Sequence, residues 1–431
     1  MPEASPVRVR MSRREWIIVG LLVASVVINY VDRSNLSLAV PILEKQFSIT
    51  PLLAGELLGA FFWTYSLAQM LGLAGWLADR FHAGWVLFGG YLLWSLATAL
   101  TGLTTGFVTL FALRLALGIG ESVAYPCYSR IFAAMPQEAR GRANAFIDAG
   151  TKLGPAAGAF VGGLVLVHFE WRMLFVFFGL GALVWLPFWY WMMPRGAEAV
   201  DARHDEANRK ERGGDSAPSI GKLLQMRCAW GAFIGHFCGN YFYYFLLAWF
   251  PTILEQEEHL SIGAMSGVTA GVFLLIAAST LLVGWISDRM IARGASPTSV
   301  RLTAVAGGQA VASILVGFAL VRGHPLIALA LLAVACVGHG SYASNHWAIA
   351  QTLAGPEMAG RWSSVQNGIA NFSGIVAPWV VGLIVQTRGS ARMAFVVTGI
   401  VALIGASSWV LLVRRVEPVN WDLRAPGSGR V

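Results

Sequence analysis

The chain alternates long apolar runs with short polar breaks, and the runs approach the roughly 20 residues that one helix needs to cross a bilayer. They fall at 16–40, 53–78, 84–104, 106–134, 143–167, 171–193, 227–251, 262–287, 301–321, 325–354, 361–387 and 391–414. The pattern predicts an all-α polytopic membrane protein with about twelve transmembrane helices and little room for a soluble domain. The first run follows Arg8, Arg10, Arg13 and Arg14, as a signal peptide would. It is too long for one, has no small-x-small cleavage site and runs into Asp32-Arg33, so it predicts the first span.

Composition supports this reading, since 56% of the 431 residues are hydrophobic and only 13% charged. That leaves too few polar groups to coat a soluble globule. The net charge of +8 invites a nucleic-acid role until the bases are placed along the chain. Of the 31 Lys and Arg, 23 lie in 1–15, 79–84, 130–142, 194–227, 288–301, 361 and 414–431, while the alternate loops hold Lys45, Arg172, Arg322, Arg388 and Arg392. This asymmetry puts both termini in the cytoplasm. The charge then reports topology and attraction to anionic lipid, with no nucleic acid as partner. Cys127, Cys228, Cys238 and Cys336 have no metal-like spacing and read as packing residues.

One motif occurs twice, as Gly75-Trp76-Leu77-Ala78-Asp79-Arg80 after the second run and Gly284-Trp285-Ile286-Ser287-Asp288-Arg289 after the eighth, 209 residues apart. Asn29-Tyr30 and Asn240-Tyr241, and Pro41 and Pro251, repeat at nearly the same offset. A duplicated six-helix unit follows. The expected organisation is a cytoplasmic tail at 1–15, bundles at 16–193 and 227–414, a polar cytoplasmic linker at 194–226 and a second tail at 415–431. Parallel repeats of this kind place a substrate site midway through the bilayer between the halves.

Asp32, Arg33, Arg114, Glu121, Asp148 and Lys152 lie well inside predicted spans of the first half. Each costs roughly 2.5–3.5 kcal/mol at mid-bilayer on insertion scales. Three acids against three bases can pair, which is the structural explanation, although apolar residues would serve stability better. Arg114 and Glu121 are seven apart and share a helix face, while Asp148 and Lys152 are four apart with the acid first, the better order for a helical ion pair. Arg33 suits a carboxylate substrate because its planar fork donates two bonds and keeps its charge. Asp32 and Glu121 are the expected proton sites, because a carboxyl's proton affinity responds to drying and to a nearby cation.

Residues 15 to 415 resemble the major facilitator superfamily, whose Gly-x-x-x-Asp-Arg signature follows its second and eighth helices. Asn29-Tyr30-Val31-Asp32-Arg33-Ser34-Asn35-Leu36-Ser37 and Arg114-x6-Glu121 resemble its anion:cation symporter family, which includes galactonate and hexuronate carriers, vesicular glutamate transporters and sialin. The resemblance implies the major facilitator fold of two six-helix bundles. It implies protonation at Asp32 and Glu121, with Arg33 on the substrate and Arg114 partnering the acid. Tyr65, Trp347 and Asn367 are expected to line the substrate site, with Asn371 one turn on; packing is the ordinary alternative for Tyr65 and Trp347 among 10 Tyr and 17 Trp.

The chain departs from the family pattern at Gly150-Thr151-Lys152, where an uncharged residue is usual at the last position. Thr151 and Lys152 are therefore counted with the substrate site. Lys152 either favours a more highly charged anion, such as a dicarboxylate, or only neutralises Asp148. Glycines 150, 154, 158 and 162, and glycines 263, 267 and 271, form stripes on the fifth and eighth helices. In the superfamily these helices face each other across the halves, so the stripes predict a rocking surface. Gly141-x8-Gly150-x3-Gly154-Pro155-x2-Gly158-Ala159 nearly matches an antiporter motif, which argues for exchange. Asp79, Arg80, Asp288 and Arg289 are expected to gate, each acid facing a helix N-terminus of the other half. The first copy continues as Phe81-His82-Ala83-Gly84 and lacks the usual basic cluster.

The expected function is proton-coupled symport of a small organic anion, a sugar acid or other carboxylate, by alternating access. The expected setting is a monomer spanning the bacterial inner membrane. An organic-anion exchanger or drug:proton antiporter is the alternative. No enzyme is expected, with no catalytic residue, metal or cofactor: His-Glu-x-x-His and a nucleophile elbow are absent, and His339 and His346 lack a third ligand.

Overall fold

The computed structural model describes residues 12–133, 135, 137–193, 219–321 and 324–421, with backbone only at 137–142, 325, 356 and 357. Most of the expected linker and the ends of both tails lie outside these residues. The described residues are helical, with no strand. Each expected apolar run folds as a helical segment. In chain order these are α1 (Arg13–Phe47), α2 (Pro51–Met70 and Leu73–Arg80), α3 (Ala83–Thr101), α4 (Phe107–Ala133), α5 (Gln137–His168) and α6 (Trp171–Met192). The second half supplies α7 (Arg227–Gln256), α8 (Ile262–Ala292), α9 (Pro297–Leu320), α10 (Leu326–Gly355), α11 (Met358–Arg388) and α12 (Arg392–Val413).

Among the described residues ten of these segments are long and apolar enough to cross a membrane, and α2 makes an eleventh if its two parts, bent by 59°, form one span. The remaining segment, α7, is 30 residues long, but three glycines, His236, Asn240 and three tyrosines dilute its apolar character.

Local sequence sets the ends. Ser12 and Glu15 form a reciprocal capping box that starts α1. Thr50 caps α2 with Pro51 in the first turn, where proline's missing N–H costs nothing. Gly72 (φ 69°) turns α2, and Gly355 (φ 62°) separates α10 from α11, both in the left-handed region that glycine enters without a Cβ clash.

The described residues gather into two compact units. The first comprises Met1–Arg212, Tyr244–Ala277 and Gly374–Ala391, and so takes in the later part of α7, the start of α8 and the end of α11. Within it, bare backbone allows close approach: a Cβ on Gly55 would come 2.4 Å from the Pro378 carbonyl, and one on Gly163 would come 2.2 Å from Ser266. Polar bonds run beside these contacts. Lys45 pairs with Glu255 at 3.3 Å, Gln256 donates to Glu44 at 2.7 Å, and Trp249 donates to the Pro378 carbonyl at 3.0 Å.

The second unit comprises Gly213–Tyr243, Ala278–Ser373 and Arg392–Val431. Its core packs Phe233, Tyr342, Leu353, Trp362 and Trp409. Buried Gln309 braces it, donating to the Gly235 carbonyl at 2.8 Å and accepting from the Trp409 indole at 3.1 Å.

Candidate functional site

Helices α1 and α4 of the first unit bring four ionisable side chains into its interior. Asp32, Arg33, Arg114 and Glu121 are 1%, 8%, 5% and 0% exposed. The Arg33 Nε donates to Glu121 Oε2 at 2.8 Å. Arg114 donates to the Asp32 backbone carbonyl at 3.4 Å.

The resemblance assigned Arg33 to the substrate and Arg114 to an acid; here Arg33 holds Glu121, and Arg114 lies beside Asp32. Seven residues place Arg114 and Glu121 about 10.5 Å apart along α4, so each meets a different level of α1. A helical side chain leans toward its own N-terminus. Arg33 accordingly reaches back along α1 to the level of Glu121, because α4 runs the opposite way.

Aromatic rings enclose the guanidinium. Its central carbon lies 4.6 Å from the Tyr30 ring centroid, 4.7 Å from Phe61 and 4.7 Å from Tyr65. Phe61 and Tyr65, one turn apart on α2, stack at 5.2 Å. Tyr65, expected by resemblance to line the substrate site, thus packs against Arg33. Such a cage favours a cation while excluding water. It does not satisfy every polar atom: Arg33 Nη2 and Glu121 Oε1 are buried without a hydrogen-bond partner among the described residues. Asn29 neighbours Glu121 and Thr98 neighbours Asp32. Leaving a buried donor or acceptor unmade costs about 1–3 kcal/mol, more when charged, so the arrangement is not optimised for rest.

Asp148 and Lys152 do not belong to this dry network. Lys152 Nζ lies 3.4 Å from Asp148 Oδ1 and donates to Thr151 Oγ1 at 2.9 Å, but the Asp148 side chain is 54% exposed and that of Lys152 18%. Six buried charges are thus four buried charges and one accessible pair.

The glycine stripe on α5 also has a different partner from the expected one. Methyls built on Gly150, Gly154 and Gly158 would strike Val26, Tyr30 and Ser34 of α1, each within 2.4 Å. The stripe is the seat of α1. On α8, a Cβ on Gly263 would come 3.9 Å from Val167 of α5, one on Gly267 or Gly271 would meet nothing within 4 Å, and Gly163 of α5 lies against Ser266 of α8. Four-residue spacing identifies a close-packed face, and the tertiary fold chooses what fills it.

Of the expected gating residues, Asp79 pairs at 3.5 Å with Arg130 of its own half. Arg80 and Asp288 are exposed, and Arg289 lies 5.3 Å over the Trp285 ring. The expected substrate residues of the second half lie in the second unit. Trp347 packs 5.0 Å from His236 and 5.2 Å from His346, and Asn371 donates to the Asn367 carbonyl at 2.9 Å. His236 adds to the noted His339 and His346, and bonds Gln366 at 3.1 Å. No group of three metal-ligating side chains forms among the described residues.

Sequence reasoning missed Asn29, Tyr30, Phe61 and Thr98 as neighbours of the charges. Asn29 had a readable signal, a polar residue one turn before Arg33 inside an apolar run; Phe61 had none.

Comparison with known proteins agrees with this architecture. The Major Facilitator Superfamily model matches residues 22–378. The D-galactonate transporter of Escherichia coli is 31% identical, with 95% of this chain and 97% of that protein aligned. The probable galactarate/D-glucarate transporter of Escherichia coli is also 31% identical, over 97% of each chain. The hexuronate transporter of Bacillus subtilis is 26% identical, over 96% of this chain and 98% of its own. Among solved structures, an inward-facing bacterial homologue of the lysosomal transporter Spinster superposes with TM-score 0.76 at 17% identity, covering 94% of this chain and 98% of its own. A D-xylose-proton symporter superposes with TM-score 0.72 at 14% identity, covering 93% and 98%. With apolar helices throughout, a matching fold and full-length relatives that are transporters, the chain belongs to the major facilitator superfamily as a multi-pass integral membrane transporter of the bacterial inner-membrane type, not an enzyme.

Proposed function

We propose that the protein is a proton-coupled symporter of a small organic anion of the sugar-acid class. The observation that carries this reading is the Arg33–Glu121 bond. Arg33 is a permanent cation, and the one carboxylate hydrogen-bonded to it is titratable. Protonating Glu121 weakens that bond and frees the guanidinium for a substrate carboxylate. Binding an anion at Arg33 in turn favours the proton on Glu121. The two ligands therefore help each other by linkage, the reciprocity that symport requires. Asp32 on α1, beside Thr98 and Arg114, is a second proton site next to Arg33.

Relatives named for a sugar monoacid and for sugar diacids support the substrate class. Tyr65 in the first unit, and Trp347, Asn367 and Asn371 in the second, remain assigned to the substrate by family resemblance. Termini in the cytoplasm, a monomeric state and gating at Asp79, Arg80, Asp288 and Arg289 belong to the same proposal. The alternative is an organic-anion exchanger or drug:proton antiporter, favoured by the α5 glycine motif, three of whose glycines lie against α1.

Purified protein in liposomes tests the reading. Glu121→Gln is expected to abolish accumulation driven by an inward proton gradient while sparing exchange of labelled for unlabelled substrate. Loss of both, with the protein folded, would remove Glu121 from coupling. Expulsion of substrate by the wild type under an inward proton gradient would establish antiport instead.

A further inference from the structure

The chain leaves its last span through a strained corner. α12 ends in a wide π-helical turn at Trp409–Val413, and Arg414 follows at φ 62° and ψ −46°, a conformation that L side chains rarely adopt. The Arg415 N–H donates to the Val413 carbonyl at 2.6 Å, which closes a γ-turn of the strained kind. Arg414 braces the corner by donating from Nε to the Leu411 carbonyl at 2.9 Å. Backbone of this sort persists only where its surroundings over-determine it. Here the following segment, Val416–Trp421, does so.

That segment is tied to four helices of the second unit. The Val416 N–H donates to Thr298 Oγ1 of α9 at 3.0 Å. On α10, the Leu353 carbonyl accepts from the Val419 N–H and the Ala354 carbonyl from the Trp421 indole, both at 3.0 Å. The Trp421 carbonyl accepts from Lys222 Nζ of the short helix Ile220–Leu224 at 3.3 Å, and the Trp421 ring lies 6.4 Å from that of Trp362 on α11. Val416 and Trp421 are buried in the same core as Leu353 and Trp362.

These ties meet at a hinge. Gly355, at φ 62°, ends α10, so Leu353 and Ala354 lie in a last turn whose carbonyls have no partner within the helix. The amide of Val419 and the indole of Trp421 supply those partners. A Cβ on Gly355 would meet nothing within 4 Å, so the left-handed residue between α10 and α11 stands in open space. Such a glycine can absorb backbone rotation when the elements it joins move. The segment spans this corner, with bonds to the α10 side and a ring contact on the α11 side.

We infer that Val416–Trp421 is a releasable strap that locks the hinge at Gly355. Bound, it fixes α10 against α11; released, it lets the two spans move during transport. Neutral hydrogen bonds and one buried indole suit a lock that must open, because each such bond contributes modestly on balance. Strain at Arg414 favours release, and reburial of Trp421 favours return. The inference rests on alternating access within the proposed function and adds a control to it.

A tether gives the sharpest test. Thr298→Cys combined with Val416→Cys places sulfurs on the two sides of the 3.0 Å bond in the full-length protein in liposomes. Oxidation is expected to fix the strap and cause loss of D-galactonate uptake, with recovery on reduction and no effect in either single variant. A segment that only packs would tolerate the tether, so uptake at the wild-type rate in the cross-linked protein overturns the inference. Trp421→Ala loosens the lock instead. Hydrogen exchange at amides 355–362 is expected to rise about tenfold, the scale of one lost bond, with the first unit unchanged, the maximal uptake rate higher and KM unaltered. Unchanged exchange there in the folded variant overturns the strap. Trp421→Phe, which keeps a ring and loses the donor, serves if the alanine variant does not fold. If the disulfide does not close, or the wild type takes up no galactonate, the exchange measurement decides the strap alone; the second outcome also ends the sugar-acid reading.

Discussion

The two sets of charges in the first unit invite comparison, because the sequence presents them alike. Each has acids and bases at helical spacing inside an apolar run. On α1 and α4 the charges are dry, with Arg33 wrapped by three rings and bound to a fully buried Glu121. On α5 the charges face outward from the packed glycine stripe, and Asp148 is half exposed. A dry pair is costly to break and changes strongly when one partner takes a proton. An exposed pair contributes little and exchanges partners easily.

Mutations can break that contrast in graded steps. Arg33→Ala should have the largest effect. It strands Glu121, so anion uptake should disappear at every pH and stability should fall by about 3–5 kcal/mol. Thermal unfolding in detergent checks this, and Arg33→Ala with Glu121→Gln should recover part of the loss. Equal stability of the single and double variants would refute the dry pairing.

Gly158→Val should come next. Its side chain would enter space occupied by Ser34 and the backbone of Val31, and overpacking of this kind costs about 1–3 kcal/mol. A lower melting temperature is expected for Gly158→Val but not for Gly267→Val, where α8 leaves open space. If both positions behave alike, the stripe is not the seat of α1.

The smallest effect belongs to the α5 pair. Asp148→Asn should alter stability by less than about 0.5 kcal/mol, the scale of a helical i,i+4 pair, reduced further by exposure. A drop as large as that of Arg33→Ala would merge the two regions into one network.

Much of the fold was legible because a bilayer imposes a length on every span, and the chain marks each span with its polar breaks. The buried charges were legible for the same reason, since an acid or base amid leucines is conspicuous. Their partners were not. Arg33 and Arg114 carry the same guanidinium, and only the antiparallel course of α1 and α4 and the lean of the side chains bring Arg33 to Glu121. Likewise the glycines at 150, 154 and 158 announced a close contact, while the expected occupant was α8 and the observed one is α1.

The sequence by itself determined which segments enter the membrane, where the chain repeats and which ionisable side chains it carries into the apolar interior, because these depend on length, composition and local period. The tertiary structure alone decided which charges are dry, which base holds which acid and which helix lies on the glycines of α5. Those outcomes depend on the distance and medium between residues far apart in the chain, and the strength of a charge pair is set by that medium as much as by the charges.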